Sequence, residues 1–261
     1  MYAFEFVKPT TIAEAVSALA AEEAQALGGG QTLIPTMKQR LASPGTLVSL
    51  TGIAELRGVS AAGGDLRIRG GTTHAQVARE SAAHYPALAR LAARIGDPAV
   101  RNRGTIGGSL ANNDPSADYP AAALGSGATI VTNAREIAAD DFFQGLFTTV
   151  LEPGEIITEV IFPIPQRANY QKFAQPASRF ALTGVFVAQF AGGVRVAVTG
   201  ASNDGVFRWA QAEEALTADF RPEAVAGLSL DPDGMIGDLH GTPAYRANLV
   251  RVLTRRAVAA A

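Results

Sequence analysis

Two stretches of this chain have residue types and spacing suited to holding a phosphate. The first is Leu27-Gly28-Gly29-Gly30-Gln31-Thr32-Leu33. Three consecutive glycines remove every β-carbon, so the backbone is free to adopt positive φ and to approach a ligand closely. Successive amide N–H groups in such a turn form a concave nest for anionic oxygens, and a helix starting near Thr32 adds its positive end. The second is Arg103-Gly104-Thr105-Ile106-Gly107-Gly108-Ser109-Leu110-Ala111-Asn112. Here Thr105 and Ser109 offer hydroxyls to phosphate or ribose, and Gly107 and Gly108 let the main chain come near. Asp118 is placed to accept from ribose or ribityl hydroxyls, or to cap a following helix. Each glycine stretch also reads as a plain turn without a ligand. Two of them about 75 residues apart suit a dinucleotide whose diphosphate lies between two subdomains.

Other chemistries find little support. No G-x-x-x-x-G-K-[ST] phosphate loop occurs, and Leu33 stands where a dinucleotide G-x-G-x-x-G fingerprint needs its third glycine. There is no Gly-x-Ser-x-Gly elbow. The chain has no cysteine, which removes thiol nucleophiles, disulfides and iron–sulfur ligation by this chain. His74, His84 and His240 lack zinc-site spacing and read as surface or structural histidines. Asp140-Asp141 reads as a solvated pair. Any reaction therefore belongs to a bound cofactor.

The frame that positions these loops is a mixed one. At 261 residues, with about 150 per domain as a guide, the length favours two domains. A net charge of -2 gives no basic surface for nucleic acid. No secretory signal pattern and no bilayer-length apolar run is present, so a cytoplasmic protein is expected. Thr11 and Glu14 form a capping box opening a short helix, with Ile12, Val16 and Leu19 at helical spacing. Ala24–Leu27 and Leu47–Leu50 read as strands around a short helix at Thr32–Gln39. Leu66–Arg69 reads as half of a hairpin after Gly63-Gly64-Asp65. Helices are expected at Thr73–Ala83, Tyr85–Ile95 and Tyr119–Leu124, with a long loop from Gly96 to Ala117. Strands are expected at Ala128–Val131 and Glu155–Phe162. Pro163-Ile164-Pro165 marks a boundary, giving domains 1–165 and 166–261. Beyond it, Leu182–Phe190 and Val194–Thr199 pair antiparallel, and helices follow at Trp209–Leu216 and Ala244–Ala259.

At the two glycine stretches the sequence resembles the FAD-binding medium subunit of molybdenum hydroxylases, the group of aerobic carbon monoxide dehydrogenase and xanthine dehydrogenase. The matching residues are Gly29-Gly30-Gln31-Thr32-Leu33 and Thr105-Ile106-Gly107-Gly108-Ser109-Leu110, continuing through Pro115-Ser116-Ala117-Asp118-Tyr119-Pro120. Phe4–Pro9, Glu155–Ile157 and Lys172–Phe180 look similar as well, so most of residues 1–200 are covered. The resemblance implies an α+β fold: an FAD-binding region of two α/β subdomains (PCMH-type), then a small α+β domain with a three-stranded antiparallel sheet and helices. It implies FAD bound without a covalent link, its diphosphate held by Leu27–Leu33 and Thr105–Ser109. Asn112 and Asp118 would contact the ribityl, ribose or diphosphate region, and Ile157 would pack near the flavin or adenine. The implied partners are an iron–sulfur small subunit and a molybdenum-cofactor large subunit in a hetero-oligomer, with electrons passing through FAD to an external acceptor. A stand-alone FAD-dependent oxidoreductase acting on a small molecule is the alternative. Some relatives place a lysine and an acidic residue near the flavin where this chain has Gln175 and Leu182, leaving Lys172 as the substitute charge. Beyond Ala201 the resemblance does not continue residue by residue.

Overall fold

The computed structural model describes residues 1–261. The first subdomain holds β1 (Glu5–Val7), α1 (Ile12–Leu19), β2 (Ala24–Leu27), α2 (Leu33–Lys38) and β3 (Thr46–Ser49). Its three strands form a parallel sheet in the order β1-β3-β2. Thr11 caps α1 by accepting from the Glu14 amide. The carboxylate of Glu14 reaches one residue further back than a capping box requires, to the amide of Thr10 at 2.8 Å. A small core of Ala15, Leu19, Val48, Ile53, Leu56 and Ile156 holds this unit.

The second subdomain begins with a hairpin of β4 (Val59–Ala62) and β5 (Asp65–Arg69). Gly63 and Gly64, at φ +62° and +89°, supply the two left-handed positions of its tight turn. There follow α3 (His74–Glu80), α4 (Pro86–Ala93), α5 (Pro98–Arg101), α6 (Ile106–Asn112) and α7 (Tyr119–Ser126). Next come β6 (Thr129–Thr132), β7 (Glu136–Ala138), α8 (Ala139–Phe142) and β8 (Ile157–Pro163). The five strands form an antiparallel sheet in the order β4-β5-β8-β6-β7.

The expected long loop from Gly96 to Ala117 is therefore half helical, in α5 and α6. Glycine's poor helix propensity hides α6 in the sequence. The helix forms because Thr105 caps it and because Ile106 and Leu110 are fully buried on its inner face.

The C-terminal part contributes β9 (Arg167–Ala174), β10 (Ala181–Phe190), β11 (Gly193–Ser202), β12 (Gly205–Arg208), α9 (Ala210–Ala218) and α10 (Pro243–Ala259). Its antiparallel sheet has the order β12-β11-β10-β9, one short strand more than the three expected. Both faces of this sheet are covered. Leu182, Val185 and Val187 pack with Trp209, Leu216 and Leu253 on one side. Tyr170, Phe186, Ala188 and Ala197 join the core of the second subdomain on the other, where α7 is wholly buried. A strand buried on both faces reads as a continuous apolar run, which is how β10 appears in the sequence.

The segment that follows α6 is the joint between the two parts. The amide of Gly200 donates to Pro115 O at 2.8 Å, and the Thr199 hydroxyl lies 3.0 Å and 2.8 Å from the carbonyls of Pro115 and Ala117. Arg246, 3 % exposed, ties α10 to the far side of the sheet through the carbonyls of Leu182 and Gly200.

Candidate functional site

Strand β2 ends at Leu27, and the chain turns through Gly28 and Gly29 to Gly30, whose φ of +71° favours glycine. None of the backbone amides from Gly28 to Leu33 donates to an acceptor within the chain. The Thr32 hydroxyl makes no capping bond to α2. Gly28 to Leu33 are all partly or fully exposed. A run of unpaired donors at a glycine turn leading into a helix is the arrangement that suits an anion.

The second motif is built differently. Thr105 Oγ1 accepts from the Gly108 amide at 3.2 Å. The Ile106 amide donates to Thr72 O and the Gly107 amide to Gly70 O, at 3.1 Å and 2.8 Å. The opening amides of α6 are thus already engaged within the protein. What it offers a ligand is the Thr105 amide, which has no acceptor, and the hydroxyls of Thr105 and Ser109. The Ser109 side chain has no partner in the chain and is half-buried.

Its glycines also divide by role. A β-carbon on Gly107 would stand 2.7 Å from Gly70 O, and one on Gly104 would stand 2.5 Å from His74 Nε2. These two serve internal packing. Gly108 is exposed, and a β-carbon there would meet only Thr105 Oγ1, at 3.0 Å.

The fold brings the two stretches into contact. A β-carbon on Gly28 would stand 2.9 Å from Thr105 Oγ1 and 3.9 Å from the α-carbon of Gly108. One on Gly29 would overlap the Arg103 carbonyl and stand 2.6 Å from the α-carbon of Gly104. The unpaired amides of the first stretch and the hydroxyls of the second therefore line one place, the junction of the two subdomains. A cofactor carrying a diphosphate fits this donor set.

Ile157 opens β8 and is 5 % exposed. Gly70 packs directly on its carbonyl, and the Gly70 carbonyl in turn takes the Gly107 amide, so Ile157 supports the second motif from beneath. Asn112 is the half-buried last residue of α6, at the far end from the Thr105 cap. Its neighbour Asn113 was not singled out in the sequence. It takes φ +42° at the helix C-cap, and its amide nitrogen holds the carbonyls of Gly145 and Thr148. The segment Gly70–His74 was likewise missed as a support; its glycine pair and hydroxyls were the available signal.

Asp118 and Lys172 lie together and away from solvent. Asp118 is 4 % exposed and makes no capping bond to α7. It accepts from the Tyr170 hydroxyl at 2.6 Å and pairs with the Lys172 ammonium at 3.0 Å. Burial pushes the Asp118 carboxyl above its ordinary range, while Lys172, Tyr170 and Arg94 pull it back. Lys172 Nζ also donates to Arg94 O at 3.0 Å and Arg179 O at 2.8 Å.

His74 is 5 % exposed, and burial, aided by the charge of Arg101, holds its imidazole down to about 4. It is structural rather than solvated. Its ring lies 5.3 Å from that of Tyr119, and its amide donates to Gly104 O at 2.9 Å. No group of three or more histidine or acidic side chains converges as a metal site, and no helix is long and apolar enough to cross a membrane.

Comparison with known proteins adds independent findings. Residues 2–165 match the family described as the FAD binding domain in molybdopterin dehydrogenase. The carbon monoxide dehydrogenase medium chain of Afipia carboxidovorans is 33% identical, over 98% of this chain and 95% of that one. The nicotine 6-hydroxylase medium subunit of Paenarthrobacter nicotinovorans is also 33% identical, over 98% and 96%. Among solved structures, the cyanide-inactivated Cu,Mo-CO dehydrogenase superposes with a TM-score of 0.87 at 32% identity, covering 98% of this chain and 96% of its counterpart. Quinoline 2-oxidoreductase from Pseudomonas putida 86 gives 0.88 at 29% identity, covering 100% and 97%.

Proposed function

Because this chain belongs to the family of FAD-binding domains of molybdopterin dehydrogenases, we propose that it is the flavin-carrying subunit of a multi-subunit molybdenum hydroxylase. In this reading the chain would hold FAD as the relay between iron–sulfur clusters on a small partner subunit, themselves supplied by a molybdenum-bearing large subunit, and an external acceptor. The names of the relatives as medium chains and medium subunits support such an assembly. So does the absence of cysteine, since the clusters must then be held elsewhere. The site of action proposed is the cytoplasm.

The observation that carries the cofactor assignment is the unpaired run of amides at Gly28–Leu33 set against the Thr105 hydroxyl and the bare Gly108. Residues Leu27–Leu33 would hold the diphosphate from one side, and Thr105, Ile106, Gly107, Gly108 and Ser109 from the other. Gly108 keeps the approach free of a side chain, and Gly28 and Gly29 let the two stretches meet closely. Asn112 and Asp118 would face the ribityl or ribose hydroxyls, and Ile157 would pack near a ring. Residues 1–165 are proposed as the cofactor-binding domain and 166–261 as a second domain bracing it. When bound, the flavin supplies the redox chemistry; the chain supplies position, exclusion of water and electrostatics.

The test is to saturate the purified chain with FAD, remove the excess by gel filtration, and record the visible spectrum before and after acid precipitation. Near-stoichiometric flavin released intact by acid is expected. Flavin that stays with the precipitate would point to a covalent, stand-alone oxidase instead. Folded protein without flavin, alone and in the presence of its partner subunits, overturns the reading. Affinity capture from the native host should then bring down an iron–sulfur subunit and a molybdenum subunit.

A further inference from the structure

The opening of the second glycine motif runs along the segment Gly70–His74. The Gly107 amide donates to Gly70 O at 2.8 Å, the Ile106 amide to Thr72 O at 3.1 Å and the His74 amide to Gly104 O at 2.9 Å. Thr73 and Thr105 face each other as an isolated antiparallel bridge. The His74 side chain crosses this seam. A β-carbon on Gly104 would stand 2.5 Å from His74 Nε2 and 2.9 Å from its Cδ2, so the imidazole edge lies directly against the bare α-carbon of Gly104. A β-carbon on Gly29 would stand 2.6 Å from that same α-carbon. Gly104 therefore touches both the imidazole and the first glycine stretch. The next residue is Thr105, whose amide is free and whose hydroxyl meets Gly28.

The ring has little room to withdraw. His74 opens α3, which Thr73 caps and which packs on α4. It is buried, with its ring against that of the fully buried Tyr119. Its Nδ1 has no hydrogen-bond partner in the chain, so packing holds the ring and what it passes to Gly104 is steric. We infer that His74 is a positioning residue of the cofactor site, its imidazole seating Gly104 and so setting the gap between the Gly28–Gly29 turn and Thr105 that receives the diphosphate. This rests on the flavin reading above. A steric seat of this kind can be moved from one side of the contact to the other. Gly104→Ala puts a methyl where the imidazole stands, and His74→Ala clears that space. The next neighbour of the methyl is Val100 O at 3.1 Å, which must give by only a few tenths of an ångström.

The experiment measures the FAD dissociation constant of the full chain as wild type, His74→Ala, Gly104→Ala and the double variant. Conditions are chosen where far-ultraviolet circular dichroism shows each protein folded, so that affinity is read apart from stability. Each single variant should bind FAD about tenfold more weakly, and the double variant should return to within about threefold of the wild type. A residue that only stabilises the fold gives no such recovery. Single variants with wild-type affinity overturn the inference. So do losses that multiply in the double variant, since they would show the two positions acting independently. Should either single variant fail to fold, the double variant decides alone: affinity near that of the wild type supports the seat, and its loss refutes it. A wild-type chain that binds no FAD removes the parent reading, and this inference with it.

Discussion

The α-carbon of Gly29 lies directly against the carbonyl oxygen of Arg103, joining two glycine stretches far apart in the sequence. Any side chain on Gly29 would press on backbone atoms of Arg103 and Gly104, which have no rotamer to change. Gly29→Ala should therefore cost about 1–3 kcal/mol and weaken FAD retention together. Thermal unfolding with and without FAD measures both; an unchanged melting temperature would contradict the close approach.

Gly108→Ala should separate the two effects. The new β-carbon meets only the movable Thr105 hydroxyl, and alanine favours the α6 interior by roughly 0.5–1 kcal/mol over glycine. Stability should stay within about 1 kcal/mol of wild type while FAD affinity falls, because this bare face is open to a ligand. If Gly108→Ala binds FAD as the wild type does, the cofactor does not lie against this residue.

Thr105→Val keeps the shape of the side chain but removes both its acceptor for the Gly108 amide and its free hydroxyl donor. Loss of the cap should cost about 1 kcal/mol. FAD affinity should drop further than that loss explains, and Thr105→Ser should restore most of it. A valine variant with reduced stability but full FAD affinity would confine Thr105 to a capping role.

The acid sensitivity of the fold should depend on His74. Its imidazole is held down to about 4 by burial and by Arg101, against an ordinary value of 6.5. Above about pH 6.5 the residue is neutral in folded and unfolded chains alike, and nothing is lost. Between 6.5 and 4 the unfolded chain takes up the proton that the folded one refuses, so stability falls as pH falls. The loss levels off below 4, at no more than about 3 kcal/mol. Urea unfolding at pH 7 and pH 5 should show this decline in the wild type and a smaller one in His74→Gln. Equal declines in both proteins would exclude His74 as the source.

Thr199→Val probes the joint between the two parts of the molecule. The hydroxyl serves the part-buried carbonyl of Pro115 and the buried one of Ala117, and its loss should cost about 1–3 kcal/mol. Because Pro115–Asp118 follows α6, FAD affinity should fall as well, although Thr199 belongs to the C-terminal sheet. Destabilisation with FAD affinity unchanged would show that the sheet merely supports the fold.

Much of the local structure was legible because it depends on neighbours in sequence. Thr11 before Ile12, Val16 and Leu19 specifies α1, and Gly63-Gly64 specifies the β4–β5 turn, since these rest on capping and backbone geometry alone. Strand β9 was not legible: its inward positions include Lys172, a residue that ordinarily marks a surface. It is buried only because acceptors from three other segments converge on its ammonium.

The same division runs through the site. The sequence by itself determined which residues are able to approach an anion, because the conformational freedom of glycine and the hydroxyls of Thr105 and Ser109 are properties of the residues. Tertiary structure decided how they are used. It left the amides of Gly28–Leu33 unpaired, while Thr72 and Gly70 took those of Ile106 and Gly107. It gave Gly107 to internal packing and left Gly108 facing outward. Whether a backbone donor is free depends on which acceptor the fold brings within hydrogen-bonding distance, and here those acceptors lie more than thirty residues away along the chain.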